Sequence, residues 1–214
     1  MKTEELIAML SRGPIAADRH VSERRIGAAA AGGALVAAML IGSLLGPRPD
    51  ISAAMLLPAF WFKLAFPVSL ALAAYAATCR LARPNPALGR TLAALVAPLA
   101  IVALVASFAT FDAPASTRAA LVQGHSAMAC TASIALFSLP AFAIALLALR
   151  TLAPTRPRQA GACAGLLAGA VAASVYAFHC DETTAPFIAV WYVLGMAVPT
   201  ALGAVLGPRL LRWV

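Results

Sequence analysis

The chain has 214 residues, of which 62% are hydrophobic and 11% are charged, and its mean hydropathy is +0.88. These values lie far outside the range of an ordinary soluble domain and favour an integral membrane protein. The formal net charge of +8 does not indicate a nucleic-acid-binding protein, because the basic residues are sorted among loops instead of forming one face or stripe.

Six long apolar runs, separated by charged and proline-rich stretches, predict an all-α integral membrane bundle of six transmembrane helices. Each run is close to the ~20 residues that cross a bilayer core, and lipid does not tolerate unpaired backbone polar groups. The predicted spans are 26–45, 55–78, 91–111, 126–149, 161–179 and 187–206. The chain therefore divides into an N-terminal segment (1–25), a six-helix domain (26–207) and a C-terminal tail (208–214).

The distribution of Lys and Arg predicts that both termini are cytoplasmic. Thirteen of these residues fall in the terminal segments and in the second and fourth loops, and only Arg48 and Arg118 fall in the other loops. Loops rich in positive charge stay on the cytoplasmic side. A cleaved signal, suggested by Arg24 and Arg25, is disfavoured because the first apolar run is longer than a typical signal core and five more spans follow.

The N-terminal segment predicts a short helix that begins at Thr3 and ends before Gly13-Pro14. Its apolar residues form one cluster, made of Leu6, Ile7, Met9 and Leu10. A helix of about nine residues is marginal in water, so it must dock on the membrane surface, on the protein's own loops or on a separate soluble partner. A partner-binding helix of the helix-in-groove kind is one of these alternatives.

The four cysteines sort by depth under this topology. Cys79 and Cys163 face the cytoplasm, whereas Cys130 and Cys180 lie at similar depth near the outer side, which is oxidising in a Gram-negative cell. The outer pair has three interpretations, namely inert packing thiols, a reversible disulfide, or a metal site.

A metal site at Cys130 and Cys180 would take His179 or His125 as a further ligand. His125 and Cys130 are five residues apart, or about 140° around a helix, so both bind one ion only where the start of the helix is irregular. The sequence has no CxxC or HxxxH spacing, and the possible thiophilic metal ion remains one alternative among three.

Lys63 is the one formal charge well inside a predicted span. A charged intramembrane residue is a functional candidate. Two alternatives are open for it: the side chain snorkels outwards, or it pairs with Asp181 or Glu182 at the outer surface.

Small residues recur on the last two spans. Gly161, Gly165 and Gly169 form a ladder on span five, and Gly203 and Gly207 form a pair on span six. Such residues let helices approach closely, so we expect packing within the bundle, with an oligomer seam as the alternative.

No catalytic constellation is apparent. The sequence has no GxxxxGKS phosphate loop, no HExxH and no carboxylate at a span centre, so we do not expect an enzyme. No cofactor is indicated apart from the possible metal ion.

Three segments, taken together and in order, resemble the NrsF-type membrane anti-sigma factors. They are "MKTEELIAMLSRG" at the start, "FWFKLAFPVSLALAA" followed by "RLARP" around span two, and "AVWYVLGMAVPTALGAVLGPRLLRW" at the end. The resemblance covers nearly the whole chain.

The resemblance implies a bacterial inner-membrane protein that holds an extracytoplasmic-function sigma factor inactive, with no direct contact to nucleic acid. It implies that the N-terminal helix binds this sigma factor. It also implies that Cys130 and Cys180 sense heavy metals or oxidants. The alternative from the residues alone is a small membrane transporter or channel without a soluble partner, although few polar residues line the span centres.

Overall fold

Within the residues that the structure describes, six helices are long and apolar enough to cross a membrane, which confirms the predicted number of apolar helices. The structure, a computed structural model, describes residues 3–4, 20–83 and 89–212. The helices are α1 (Val21–Leu44), α2 (Ile51–Ala54), α3 (Pro58–Leu81), α4 (Gly89–Asp112), α5 (Ala115–Gln123), α6 (Ala127–Arg150), α7 (Pro157–Tyr176) and α8 (Ala185–Leu210). Within these residues the fold is all helical and has no strand.

The helix bounds differ from the predicted spans at a few places. α1 begins at Val21 instead of residue 26, so its first turns include charged residues that were assigned to the N-terminal segment. The segment 113–124, predicted as a loop, contains the nine-residue helix α5. Pro114 precedes this helix and Gly124, with φ of 52°, ends it, which is the usual placement of these two residue types.

α7 lies at the centre of the bundle and packs against α8, α3, α6 and α1. α4 is peripheral and contacts α3 and the beginning of α8. The beginning of α8 contains one wide π turn, Ile188–Tyr192, before the regular helix resumes at Val193. A single π turn of this kind is frequent at functional sites.

The glycine ladders confirm the predicted packing within the bundle. A Cβ added at Gly161 would collide with the backbone carbonyl of Gly203, and one at Gly165 would collide with the carbonyl of Pro199. The backbones of α7 and α8 are therefore in direct contact. α1 and α6 approach in the same way, because a Cβ on Gly33 would meet the Cα of Ala141 at 2.8 Å.

The loops meet at the two ends of the bundle. At one end, which we call the thiol end, the connection 177–184 touches both the connection 45–57 and the connection 113–126: the Arg48 amide donates to the Phe178 carbonyl, and the His125 amide donates to the Glu182 carboxylate. At the opposite end, Arg25 donates to the hydroxyl of Thr151 at 2.6 Å.

Candidate functional site

The structure brings Cys130 and Cys180 together at the thiol end. Cys130 lies one turn into α6, and Cys180 lies in the connection that follows α7. Both side chains are buried, both thiols are free, and both residues belong to one apolar cluster. The two thiol groups are close enough to interact directly. The sequence predicts that the two cysteines lie at similar depth, and in the structure their side chains also contact each other.

Lys63 lies beside this thiol pair. Its side chain is 0% exposed, and Nζ donates a hydrogen bond of 2.6 Å to the backbone carbonyl of Cys180. The same Nζ lies 5.6 Å from the centre of the Tyr192 ring, within range of a cation–π interaction. The side chain does not snorkel, and the recorded hydrogen bond goes to a carbonyl instead of to Asp181 or Glu182. Its position explains both differences, since α3 packs directly against α7.

Arg48 holds the backbone on which Cys180 is placed. Its guanidinium Nη1 lies 3.5 Å from the carbonyls of Cys180 and Asp181, and its amide donates to the carbonyl of Phe178 at 3.2 Å. The other guanidinium nitrogens donate two hydrogen bonds of 2.6 Å to the Asp50 carboxylate. The hydrogen bond from Arg48 holds the pKa of Asp50 below its usual range.

Two tyrosines close the site. Tyr176 ends α7 and is buried, and its ring lies 6.4 Å from that of Tyr192. Tyr192 is 0% exposed, and its hydroxyl has no hydrogen-bond partner within the part of the chain that the structure describes. The π turn in α8 leads directly to this residue.

Contacts around Cys180 favour its ionised form. The Cys130 thiol and then the Lys63 ammonium lower the pKa of the Cys180 thiol, and the amide of Glu182 adds to the effect, while burial opposes it. The thiolate is the form that attacks electrophiles and binds soft metals. A thiol pair with a positive neighbour can therefore form a disulfide or hold a thiophilic ion.

The two histidines face away from the thiols. His179 Nδ1 lies 2.7 Å from the Gly46 carbonyl oxygen, and His125 binds Glu182 through both its amide (2.6 Å) and Nδ1 (3.2 Å). Among the described residues, no group of three or more His, Cys, Asp and Glu side chains is arranged to hold a metal ion. Any metal at this site would thus depend on the two sulfur atoms.

Sequence reasoning missed Arg48 and Tyr192 as parts of the site. Arg48 stood out as one of two basic residues on the predicted outer side, and this rarity was the available signal. Tyr192 occurs within an apolar run, and only the fold places it beside Cys180. The predicted partner-binding residues lie outside the described residues, and they are Leu6, Ile7, Met9 and Leu10.

The fold and the site together define a small helical protein whose long helices are apolar enough to cross a membrane and which carries a buried thiol pair beside Lys63. The family model described as "NrsF: Negative regulator of sigma F" matches residues 10–213. The chain belongs to this family, whose description is that of a regulatory protein.

Two relatives match over the full length of both chains. A "Probable anti-sigma-F factor NrsF" from Azospira oryzae is 44% identical over 213 residues, and an "Anti-sigma-F factor NrsF" from Caulobacter vibrioides is 36% identical over 216 residues. The resemblance recognised from the sequence is thereby confirmed. No solved structure matches this chain significantly.

Proposed function

We propose that the chain is a membrane-bound anti-sigma factor that sequesters an extracytoplasmic-function sigma factor and releases it when Cys130 and Cys180 react with a heavy metal or an oxidant. Full-length similarity to two proteins named as anti-sigma factors supports the regulatory part. The observation that carries the sensing part is the contact between two buried, free thiols beside Lys63.

The surface of the bundle supports insertion in the inner membrane. Large apolar side chains are exposed all around it, including Leu72, Phe108 and Leu147, each more than 60% exposed. Apolar surface on this scale needs an apolar environment. The arginine distribution favours cytoplasmic termini, which leaves the thiol end on the outer side.

A path from the thiols to the N-terminal segment supports the coupling. Cys130 is on α6. The side chain of Ala141, also on α6, packs against the backbone of α1 at Gly33. A change in the position of α6 therefore shifts α1, which leads directly into the N-terminal segment. A difference of a few kcal/mol between two packings is sufficient for such a signal.

The trigger has two chemical forms at this site. Oxidation would join the two sulfur atoms in a disulfide, whereas a soft cation such as Cd²⁺ would be held by two thiolates. Mass spectrometry of intact protein separates them, because a disulfide lowers the mass by two hydrogens and a bound ion raises it.

The partner test is an affinity purification of the tagged, full-length protein from its native membranes. We expect a sigma factor in the eluate and expect a Leu6→Asp/Leu10→Asp variant to lose it. A Glu4→Gln variant is the matched control, because it changes a charge on the same segment and leaves the apolar cluster intact. An eluate without any sigma factor would overturn the proposal and direct attention to transport assays in proteoliposomes.

A further inference from the structure

We propose that the ammonium group of Lys63 and the thiolate of Cys180 form a buried ion pair, which makes Cys180 the sulfur that reacts first and Cys130 the sulfur that reacts second. This inference rests on the proposed function of the thiol pair as a sensor, and it assigns different roles to the two sulfur atoms.

The burial of Lys63 is the first observation. A fully buried ammonium group is costly unless an opposite charge or several acceptors compensate it. The recorded hydrogen bond of Nζ goes to the Cys180 carbonyl, and the Tyr192 ring supplies a further, weaker attraction. A neutral carbonyl and an aromatic face compensate only part of a full charge, so a nearby anion would stabilise the charged form of Lys63.

The nearby carboxylates are engaged elsewhere. Asp50 binds Arg48 in a bidentate pair, and Glu182 accepts two hydrogen bonds from His125. Asp181 is exposed to solvent. The Cys180 thiol is buried beside Lys63, and a thiol is more acidic than the phenol of Tyr192, the other buried acidic group next to Nζ.

The surroundings distinguish the two sulfur atoms. Lys63 Nζ donates its hydrogen bond of 2.6 Å to the carbonyl of Cys180, so the ammonium group lies beside this residue. Cys180 also receives the Glu182 amide. The charged and titratable groups that face Cys180 come from every neighbouring element, and they are Lys63 (α3), Arg48 (after α1), Cys130 (α6), Tyr176 (α7), Tyr192 (α8), and Asp181 and Glu182 of its own connection.

The buried hydroxyl of Tyr192 fits an anionic sulfur at Cys180. It makes no hydrogen bond of ordinary geometry within the described residues, and the Cys180 side chain lies near it. An unpaired buried donor is costly. A thiolate next to it accepts the hydroxyl proton better than a neutral thiol does, since hydrogen bonds to charged groups are the stronger ones.

With hydrogen peroxide as oxidant, the reaction balances in two steps. The Cys180 thiolate attacks one peroxide oxygen, the S–O bond forms, the O–O bond breaks, and the leaving hydroxide takes a proton from the Lys63 ammonium to become water. The Cys130 sulfur then attacks the Cys180 sulfur, the S–S bond replaces the S–O bond, and the hydroxyl leaves with the thiol proton as a second water. The two cysteines lose two electrons and the peroxide gains them.

The experiment measures the alkylation rates of both cysteines in full-length protein in membrane vesicles, between about pH 5.5 and 9. The background variant is Cys79→Ser/Cys163→Ser, the probe is iodoacetamide, and peptide mass spectrometry reports each site. We expect Cys180 to react before Cys130, with a half-maximal rate well below the ordinary thiol value of about 8.5.

Replacement of Lys63 separates charge from packing. In Lys63→Met the pH at which the Cys180 alkylation rate is half-maximal should rise by at least about one unit, and the rate at pH 6 should be about tenfold lower. In Lys63→Arg this midpoint should stay low. A residue that acts only through packing would change the rate at every pH and leave the midpoint unchanged. Equal midpoints in the wild type and Lys63→Met would overturn the ion pair.

A folding failure of Lys63→Met does not remove the test. The wild-type order of reaction decides the assignment by itself, and Cys130 reacting first would contradict it. Because alkylation requires no sigma factor, a low Cys180 midpoint together with a sigma-free eluate would refute the proposed function and leave the ion pair standing. The reverse result would refute the ion pair alone.

Discussion

Arg83, beyond the last residue of α3, donates a hydrogen bond of 2.7 Å from Nη2 to the Glu23 carboxylate in the first turn of α1. Tyr75, also on α3, donates to the backbone carbonyl of the same Glu23 at 3.0 Å. The helix that carries Lys63 at the thiol end thus holds the beginning of α1 at the other end. This arrangement places α3 on a second route between the thiols and the N-terminal segment.

The Arg83 contact predicts a small regulatory effect. Both side chains are nearly half exposed, so Arg83→Gln should change the free energy of unfolding only slightly. The looser contact between α3 and the beginning of α1 should raise basal sigma-dependent transcription by up to about fivefold. A transcriptional reporter measures it, with Arg90→Gln as the control, and identical output from both variants would argue against this route.

The contact between α7 and α8 predicts a steep cost for added volume. Gly165→Ala places a methyl group against the Pro199 backbone, and overpacking of this kind costs about 1–3 kcal/mol. The midpoint of thermal unfolding in detergent should fall. Gly42→Ala is the matched control, since its Cβ meets nothing within 4 Å, and an equal loss of stability in both would contradict the close approach.

The thiol pair predicts selective loss of the stress response. The Cys130→Ser/Cys180→Ser variant should insert and accumulate normally, yet its reporter output should no longer change with cadmium or peroxide. Cys79→Ser/Cys163→Ser is the control and should respond like the wild type. Normal induction in the first variant would remove the thiols from the mechanism.

The arginine distribution predicts the topology. Alkaline phosphatase, which is active only outside the cytoplasm, should be active when fused within 113–124 and inactive when fused after Arg158 or Arg212. Activity in the reverse pattern would place the thiol end on the cytoplasmic side, where thiols stay reduced. It would thereby contradict a sensor that faces the cell exterior.

Much of the fold could be predicted from the sequence, because lipid imposes helices on any long apolar run. The close glycine contacts were also predictable, because small residues at helical spacing let two helices approach closely. α5 could not be predicted in this way, because Pro and Gly are typical of loops, whereas Pro114 and Gly124 flank a helix.

The site was predictable only in part. The predicted spans place Cys130 and Cys180 at similar depth, but they do not predict the direction of either side chain, which depends on tertiary packing. The Lys63 partner is a backbone carbonyl, and no residue pattern marks a carbonyl as an acceptor. His179 illustrates the same limit, because the Gly46 carbonyl beside its ring lies 133 residues away in the chain.

The backbone contact between α7 and α8 has a mechanical consequence. Where the main chains touch, at Gly161 and Gly165, no side chain separates the two helices. The pair therefore behaves as one rigid unit, and the connection 177–184 lies at its end. A displacement caused by a disulfide between Cys130 and Cys180 would not be absorbed within this rigid pair of helices. The displacement would pass to the helices that pack against the pair, α6 and α3. These two helices also lead to the residues that contact the beginning of α1.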